Sequence, residues 1–452
     1  MVIKNMNWVD VENGYIDRNI FFDEEIYRQE LEQVFARSWL FVGHESMIPN
    51  PGDFTMTTMG EDPVIVTRAS DMTVHVLLNS CRHRGNAVTR ANIGNCSSFM
   101  CAYHGWTYDL KGELIAIPGF KELYHEDLDM KQWGLIRCPN VESFHGLLFA
   151  NWDPSAPGLV EYMGEYAWFL ETRVNPQGKG SELNGGIFKW TMDHNWKFAA
   201  DNFVGDGYHG PISHQSAILA GHTTASIQTT GRTVDRQRDP FASFQNQSSP
   251  DAFRIATKYG HGAGLTLREK DSAVAPEDMP PDLKDYYEQR RESMEKLQGQ
   301  NRARLGGFNA MFPNFSINSS ADQIHVWHPR GPLLTESWVY VLVDKAAPQS
   351  VKDELVKESS RRFGPTGMFE QDDSDNWRLS TGGAKSIIGR RYPLHYAMGL
   401  RQQNWMEAKE DLPLRRQGNL GDTNQLNFYR HWQDLMMGKS WQELQEQPFD
   451  RV

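Results

Sequence analysis

Between Asp201 and His214 the chain reads Asp-Asn-Phe-Val-Gly-Asp-Gly-Tyr-His-Gly-Pro-Ile-Ser-His, the densest run of metal-capable and proton-capable side chains in its 452 residues. Helical spacing as far as Pro211 puts Asn202, Asp206 and His209 on one face, at i, i+4 and i+7. Their neighbours Phe198, Phe203 and Val204 are apolar, so this polar set must face inward or into a cleft and find partners there. His209 and His214 are five positions apart, with Gly210 and Pro211 between them to break the helix and turn the second imidazole toward the first. Two neutral imidazoles and one carboxylate from elsewhere would form the facial triad of a non-haem Fe(II) oxygenase, with positions open for dioxygen. Taken alone, the pair is more simply two unconnected histidines at a helix end.

A second constellation changes that balance. Cys81-Arg-His83-Arg-Gly is followed by Cys101-Ala-Tyr-His104-Gly-Trp, with 17 residues between His83 and Cys101. Each half reads as a hairpin tip that offers one thiolate and one imidazole. A Cys2His2 zinc site remains open on these residue types, although C-x-H and C-x-x-H differ from paired C-x-x-C. The better fit is a Rieske cluster, in which two cysteines hold one iron and two histidines the other. Glycines after both histidines would let the backbone approach the sulfides. Cys96 and Cys138, the other two of four cysteines, lie outside the spacing and read as buried thiols.

The elements that must position these groups fall into two styles. Residues 23–35 carry Ile26, Leu31, Val34 and Phe35 at amphipathic helical spacing. From Trp39 to about Asp153 the segments are short and β-like, among them Pro63–Thr67, Thr73–Leu78 and Gly146–Asn151, with turns at Asn50-Pro-Gly and Lys111-Gly. This reads as a small antiparallel β domain. A linker-like change comes at Asp153-Pro-Ser-Ala-Pro-Gly, after which helical patterns mix with strands. Residues 215–280 are polar and turn-rich and read as either an entrance lid or a surface loop. Residues 285–297 read as a charged helix with a solvated face. Asp322–Pro329 and Ser337–Asp344, separated by Arg330-Gly-Pro, read as a hairpin in a larger antiparallel sheet, with His325 and His328 as structural histidines. Segments around Trp432 and Trp441 read as a closing helix packed on that sheet.

Bulk properties exclude some classes. A net charge of −12 argues against nucleic acid, since phosphate binding needs a basic surface. No charged-then-apolar leader and no run of about 18 apolar residues is present, so neither secretion nor a membrane span is expected, and the expected compartment is the cytoplasm. Hydrophobic content of 39% and charged content of 23% suit a globular protein, and 12% aromatic residues is rich. Most of those rings belong in cores.

The third candidate ligand lies in Phe363-Gly-Pro-Thr-Gly-Met-Phe369-Glu-Gln-Asp372-Asp373-Ser-Asp375. Alone this acidic cluster would be a helix N-terminus. Beside two unpaired histidines and an electron-transfer cluster it becomes the natural carboxylate donor.

With these motifs in view the chain resembles, over nearly its whole length, the catalytic α subunit of the Rieske non-haem iron ring-hydroxylating dioxygenases, and most closely their biphenyl, phenylpropionate and naphthalene branch. The resemblance implies an α+β fold: a Rieske β-sandwich-like domain plus a catalytic domain whose antiparallel sheet is flanked by helices in a helix-grip arrangement. The expected organisation is an N-terminal arm at 1–40 belonging to the catalytic domain, a Rieske domain at 41–155 and the catalytic domain at 156–452. By the same resemblance, Cys81, His83, Cys101 and His104 hold the 2Fe-2S cluster, while His209, His214 and Asp373 hold the mononuclear Fe(II). Asn202 sits near that iron. Asp206 bridges it to the cluster of a neighbouring α subunit, between His104 and His209.

Pocket positions by family are Phe203, Gly207, Gly210, Phe363 and Phe369. The sequence departs from the commoner pattern at Asp201, where Glu is frequent, and at Gly207 and Gly210, where bulkier residues often occur; pocket shape is what these changes affect. The implied reaction is cis-dihydroxylation of an aromatic ring with dioxygen and electrons from NADH through a reductase and a Rieske-type ferredoxin. The implied assembly is α3β3 with a small β subunit, or α3. A Rieske monooxygenase or demethylase is the rival within this chemistry, and an iron-sulfur or zinc-binding electron-transfer protein the rival outside it.

Overall fold

The computed structural model describes residues 7–219, 252–267, 281–318, 322–401, 405–406, 412, 416–418 and 420–449. Most of the polar stretch at 215–280 lies outside the described residues. The chain divides into two compact units: Phe35–Leu159, and a discontinuous unit that joins Met1–Val34 to Val160–Val452.

Phe35–Leu159 is built of short antiparallel strands. One sheet has four strands in the order Val74–Leu78, Asp62–Arg68, Asp53–Met59, Ile93–Asn95, and two smaller sheets have three strands each. The β-branched run Val64, Ile65 and Val66 is wholly buried, as a strand covered on both faces requires. Around Ile65 and Leu77 a core forms from Phe54, Phe99, Trp106 and Tyr108 that also takes in Cys81 and Cys101.

The larger unit is organised on a nine-stranded antiparallel sheet. Its strands, in chain order, are β1 (Ser181–Met192), β2 (Ala252–Ala256), β3 (Gly262–Leu267), β4 (Leu305–Met311), β5 (Phe315–Asn318), β6 (Gln323–Pro329), β7 (Thr335–Asp344), β8 (Trp405–Met406) and β9 (Arg416–Gly418). They lie in the order β1-β7-β6-β5-β4-β3-β2-β9-β8. The expected hairpin is present, with Trp327 opposite Ser337 in β6 and β7.

The helices of this unit include α1 (Glu24–Glu30), α2 (Trp196–Phe203), α3 (Gly210–Ser213), α4 (Pro281–Gln298), α5 (Gln349–Arg362), α6 (Met368–Ala384) and α7 (Thr423–Met436), of which α2, α5 and α7 pack directly on the sheet. The charged helix α4 is not solvated all round. Leu283, Tyr286 and Met294 are buried, because they recur on one helical stripe. Helix α1 is capped by Asp23, which accepts from the backbone of Glu25 and Ile26. It delivers Glu30 to a fully buried position against Lys197 Nζ at 2.5 Å, with indole N–H groups of Trp196 at 3.0 Å and Trp432 at 2.9 Å completing its shell. A buried ion pair persists only when its remaining lone pairs are bonded in this way. Among the described residues no helix is long and apolar enough to cross a membrane.

Candidate functional site

Helix α2 starts where Asn195 accepts from the backbone of Lys197, and all eight of its residues are buried. It does not run to Pro211 as its spacing predicted. It ends at Phe203, because Gly205 takes φ +139°, and a Cβ there would lie 2.6 Å from Asn424 Nδ2. Asp206 and His209 therefore sit in a turn rather than on the helical face of Asn202. Asp206 Oδ1 accepts from the backbone N–H of Tyr208 at 2.9 Å and His209 at 3.3 Å. Pro211 does not break a helix here either. It occupies the first turn of α3, where its missing N–H costs nothing, and that single turn carries the chain from His209 to His214.

These pieces meet the second turn of α6. Nε2 of His209 and Nε2 of His214 each lie 3.4 Å from the same oxygen, Oδ1 of Asp373. One ligand atom from each of the three residues falls within 4.8 Å of the others. His214 and Asp373 are buried, and Asp373 Oδ1 has no hydrogen-bond partner among the described residues. An orphaned buried carboxylate oxygen faced by two imidazole nitrogens fits a two-histidine, one-carboxylate iron site.

The far side of each imidazole faces a second carboxylate. Asp206 Oδ2 lies 3.3 Å from His209 Nδ1, and Asp372 Oδ2 lies 3.3 Å from His214 Nδ1. Asp372 hydrogen-bonds His214 Nδ1 and so holds the proton there and leaves Nε2 free to ligate, whereas Asp206 faces His209 Nδ1 at ion-pair distance. Without an ion the charges redistribute. Burial works against a charged His209, yet Asp206 and Asp373 outweigh it and lift its pKa to about 9. Burial, reinforced by the charge on His209, pushes His214 down to about 3. Burial raises Asp373 to about 7, against the pull of His209.

The pocket candidates divide. Phe203, Phe363 and Phe369 are all buried. Phe369 stands edge-on to His214 at 5.1 Å and stacks on Phe363 at 5.5 Å, while Phe203 leans on Phe308 and Trp327 from the sheet. Gly207 and Gly210 lie on the half-exposed turn between Asp206 and His214; a Cβ on Gly210 would meet nothing within 4 Å among the described residues. Asn202 is buried in the last turn of α2. Asp201 was noted only as a departure, but its carboxylate accepts from Tyr429 at 2.6 Å and Tyr396 at 2.9 Å. Sequence reasoning missed Asp372 and Glu370. Glu370 is buried with neither carboxylate oxygen bonded among the described residues, and burial, and then the charge of Asp373, raise its pKa well above the usual carboxylate range. The Asp372-Asp373 pair was the available signal for the former: adjacent helical positions can flank one imidazole.

In the smaller unit the two Cys-His loops share one backbone pattern. Cys81 N–H donates to Asn86 O and Gly85 N–H to Cys81 O; Cys101 N–H donates to Trp106 O and Gly105 N–H to Cys101 O. Both glycines have φ +75°, a conformation that disfavours any side chain. Only the second loop is a hairpin tip, joining the paired strands Phe99–Met100 and Thr107–Tyr108. The first connects strands at opposite edges of the four-stranded sheet, so it is a crossover loop.

Both thiols are buried, while the imidazoles of His83 and His104, 4.5 Å apart, are half-buried. His83 Nδ1 is buried without a hydrogen-bond partner among the described residues, and its ring stacks on Trp106 at 5.2 Å. Two inner thiols and two outer imidazoles suit a cluster with chemically distinct irons. Tyr108 OH lies 3.2 Å from Cys81 Sγ, and Asn86 Nδ2 lies 3.6 Å from Cys101 Sγ. Burial alone would raise the Cys101 thiol, but the backbone N–H of Tyr103, then the Asn86 amide and the Cys81 thiol, leave it lowered. Cys138 is buried as expected, whereas Cys96 is half-exposed.

The model described as "Ring hydroxylating alpha subunit (catalytic domain)" matches residues 180–438, and that of the Rieske [2Fe-2S] domain matches residues 38–144. The chain belongs to the ring-hydroxylating α-subunit family. It is 36% identical to the biphenyl dioxygenase α subunit of Paraburkholderia xenovorans, over 96% of this chain and 94% of that one. It is also 36% identical to the large oxygenase component of the naphthalene 1,2-dioxygenase system of Pseudomonas aeruginosa, over 99% and 97%. Its structure superposes on naphthalene 1,2-dioxygenase with indole bound in the active site at a TM-score of 0.87 and 33% identity, covering 98% and 97% of the two chains. The protein is therefore a Rieske non-haem iron dioxygenase α subunit acting on aromatic substrates and dioxygen, with a 2Fe-2S cluster and a mononuclear iron as its cofactors.

Proposed function

We propose that His209, His214 and Asp373 are the ligands of the mononuclear iron, that Cys81, Cys101, His83 and His104 hold the cluster, and that the chain cis-dihydroxylates an arene. The observation that carries this reading is the convergence of both Nε2 atoms on Asp373 Oδ1, with a second carboxylate behind each ring. When bound, the cluster supplies electron transfer and the iron supplies activation of dioxygen.

The residues supply placement. Asp206 and Asp372 fix the two imidazoles, and Phe203, Phe363 and Phe369 form apolar walls that orient the ring and exclude water. Gly210 leaves space on the turn side, and Asn202 would sit near the iron. Asp206 also couples the iron site to the cluster of a neighbouring subunit through His104. Electrons come from NADH by way of a reductase and a Rieske-type ferredoxin in the cytoplasm, and the assembly is α3β3 or α3. The organisation into an arm at 1–40, a Rieske domain at 41–155 and a catalytic domain at 156–452 accompanies this reading.

Turnover of naphthalene or biphenyl in labelled dioxygen by the reconstituted system tests it. Two labelled atoms in a cis-dihydrodiol are expected; one labelled atom would make the chain a monooxygenase.

A further inference from the structure

On the sheet side of the aromatic wall one buried polar atom has no use in the chemistry described so far. His325 sits in β6, on the strand face it shares with Gln323 and Trp327, and none of its surface is exposed. Gln323 fixes its tautomer. The Gln323 amide nitrogen donates to the carbonyl oxygens of Ser359 and Phe363 and to the Ser359 hydroxyl. An amide oxygen in that place would face two carbonyls, so Oε1 is the atom turned toward the imidazole. It lies 3.1 Å from His325 Nε2 and accepts the proton carried there. Nδ1 is then a bare lone pair, buried without a hydrogen-bond partner among the described residues. Burial pushes the imidazole pKa down to about 3, so the ring stays neutral at ordinary pH.

The surrounding rings tie this lone pair to the reacting site. Phe203 lies 5.1 Å from the imidazole, Trp327 5.2 Å and Phe363 6.4 Å. Phe363 stacks on Phe369, and Phe369 stands edge-on to His214. An aromatic line thus runs from a metal-binding imidazole to His325, and through Phe203 back to the helix that leads into the site. His328, three residues on, differs: it projects from the other strand face against Trp338 at 4.7 Å.

We propose that His325 Nδ1 is a polar anchor in the substrate cavity that accepts a hydrogen bond from an O–H or N–H group on the ring system, so that hydroxylated or N–H-bearing arenes are preferred over their hydrocarbon isosteres. This inference rests on the reading of Phe203, Phe363 and Phe369 as walls of the arene site. A buried acceptor without a donor is a standing cost, relieved by a ligand that brings one. A cavity shaped around such an acceptor rejects an isostere that lacks the donor far more strongly than apolar contacts alone could.

Equilibrium binding to the iron-loaded protein, without electron donors, compares 1- and 2-naphthol with 1- and 2-methylnaphthalene, which match them in shape. At least one naphthol is expected to bind about tenfold or more tightly than its methyl counterpart. In His325→Leu the pair should come within about threefold of each other. Equal affinities in the unaltered protein, or a preference that survives His325→Leu, would overturn the anchor. If His325→Leu does not fold, the comparison in the unaltered protein decides alone. The wall is checked separately by turnover of 2-methylnaphthalene: an unchanged isomer ratio in Phe363→Val strikes the wall and not the lone pair.

Discussion

Asp372 Oδ2 lies 3.3 Å from His214 Nδ1, on the side of the ring opposite Asp373. The neighbouring acids of one helix thus face a single imidazole from both edges, Asp373 as the proposed partner ligand of the iron and Asp372 as the acceptor that sets the tautomer. Asp372→Ala should lower affinity for the mononuclear iron by about ten- to a hundredfold and leave the cluster chromophore intact. Iron content and visible absorption of the purified variant check this; full iron occupancy at limiting metal would count against it.

Asp206 stands in the same relation to His209 and, in the proposed assembly, also reaches the next subunit. Asp206→Ala should weaken iron binding as Asp372→Ala does and, once both centres are filled at saturating iron, still lose about tenfold or more of turnover. Normal product yield per NADH consumed would remove the bridge.

The Tyr108 hydroxyl lies 3.2 Å from Cys81 Sγ, and with Cys81 as the proposed cluster thiolate it would donate to the sulfur and withdraw electron density from it. Tyr108→Phe should therefore lower the cluster reduction potential, by on the order of tens of millivolts, with its absorption bands retained. A redox titration reads the shift directly, and an unmoved midpoint would show that the hydroxyl is only packing.

Phe369 supports His214 and faces the proposed arene site. Phe369→Val should shift the ratio of product isomers, and Phe369→Ala should in addition destabilise the fold by about 3 kcal/mol. Identical isomer ratios from the two variants and the unaltered protein would take Phe369 off the wall.

Asp201 gives a pH signature. Burial raises its pKa from 3.8 to about 8, although hydroxyls of Tyr429 and Tyr396 partly offset the rise. A carboxyl raised on folding favours the folded state fully below its unfolded pKa, and that contribution drains away as pH climbs from about 4 through about 8. Asp201→Asn cannot ionise there. Its melting temperature relative to the unaltered protein should therefore improve between pH 5 and pH 9, on the order of several degrees; a constant difference would mean that Asp201 is charged throughout.

Much of this was legible in the residues. The Cys-His spacings pointed to a cluster because the ligand types themselves restrict the metal chemistry, and the alternation in β6 and β7 fixed their pairing through side-chain period. The path from Asn202 to His214 was not legible in detail. Helical spacing placed Asp206 on the face of Asn202, but the close approach of Asn424 and Ala263 to Gly205 forces a left-handed backbone there, and that contact comes from residues far along the chain. The partners of Asp201 and the tautomer of His325 were hidden for the same reason: Tyr396 and Tyr429 in the first case, Ser359 and Phe363 in the second, are distant in sequence. The stacking of Phe363 on Phe369, six residues apart, likewise needed the bend between α5 and α6.

The shell around Glu30 has a consequence for the order of assembly. Its indole partner Trp432 is 402 residues downstream, so on a ribosome Lys197 emerges and waits beside an acid whose last donor has yet to be made. The segment Phe35–Leu159, complete in itself as a contact unit, has no such dependence. Nascent chains stalled before Trp432 should thus carry an already protease-resistant β module and a catalytic unit that has not closed.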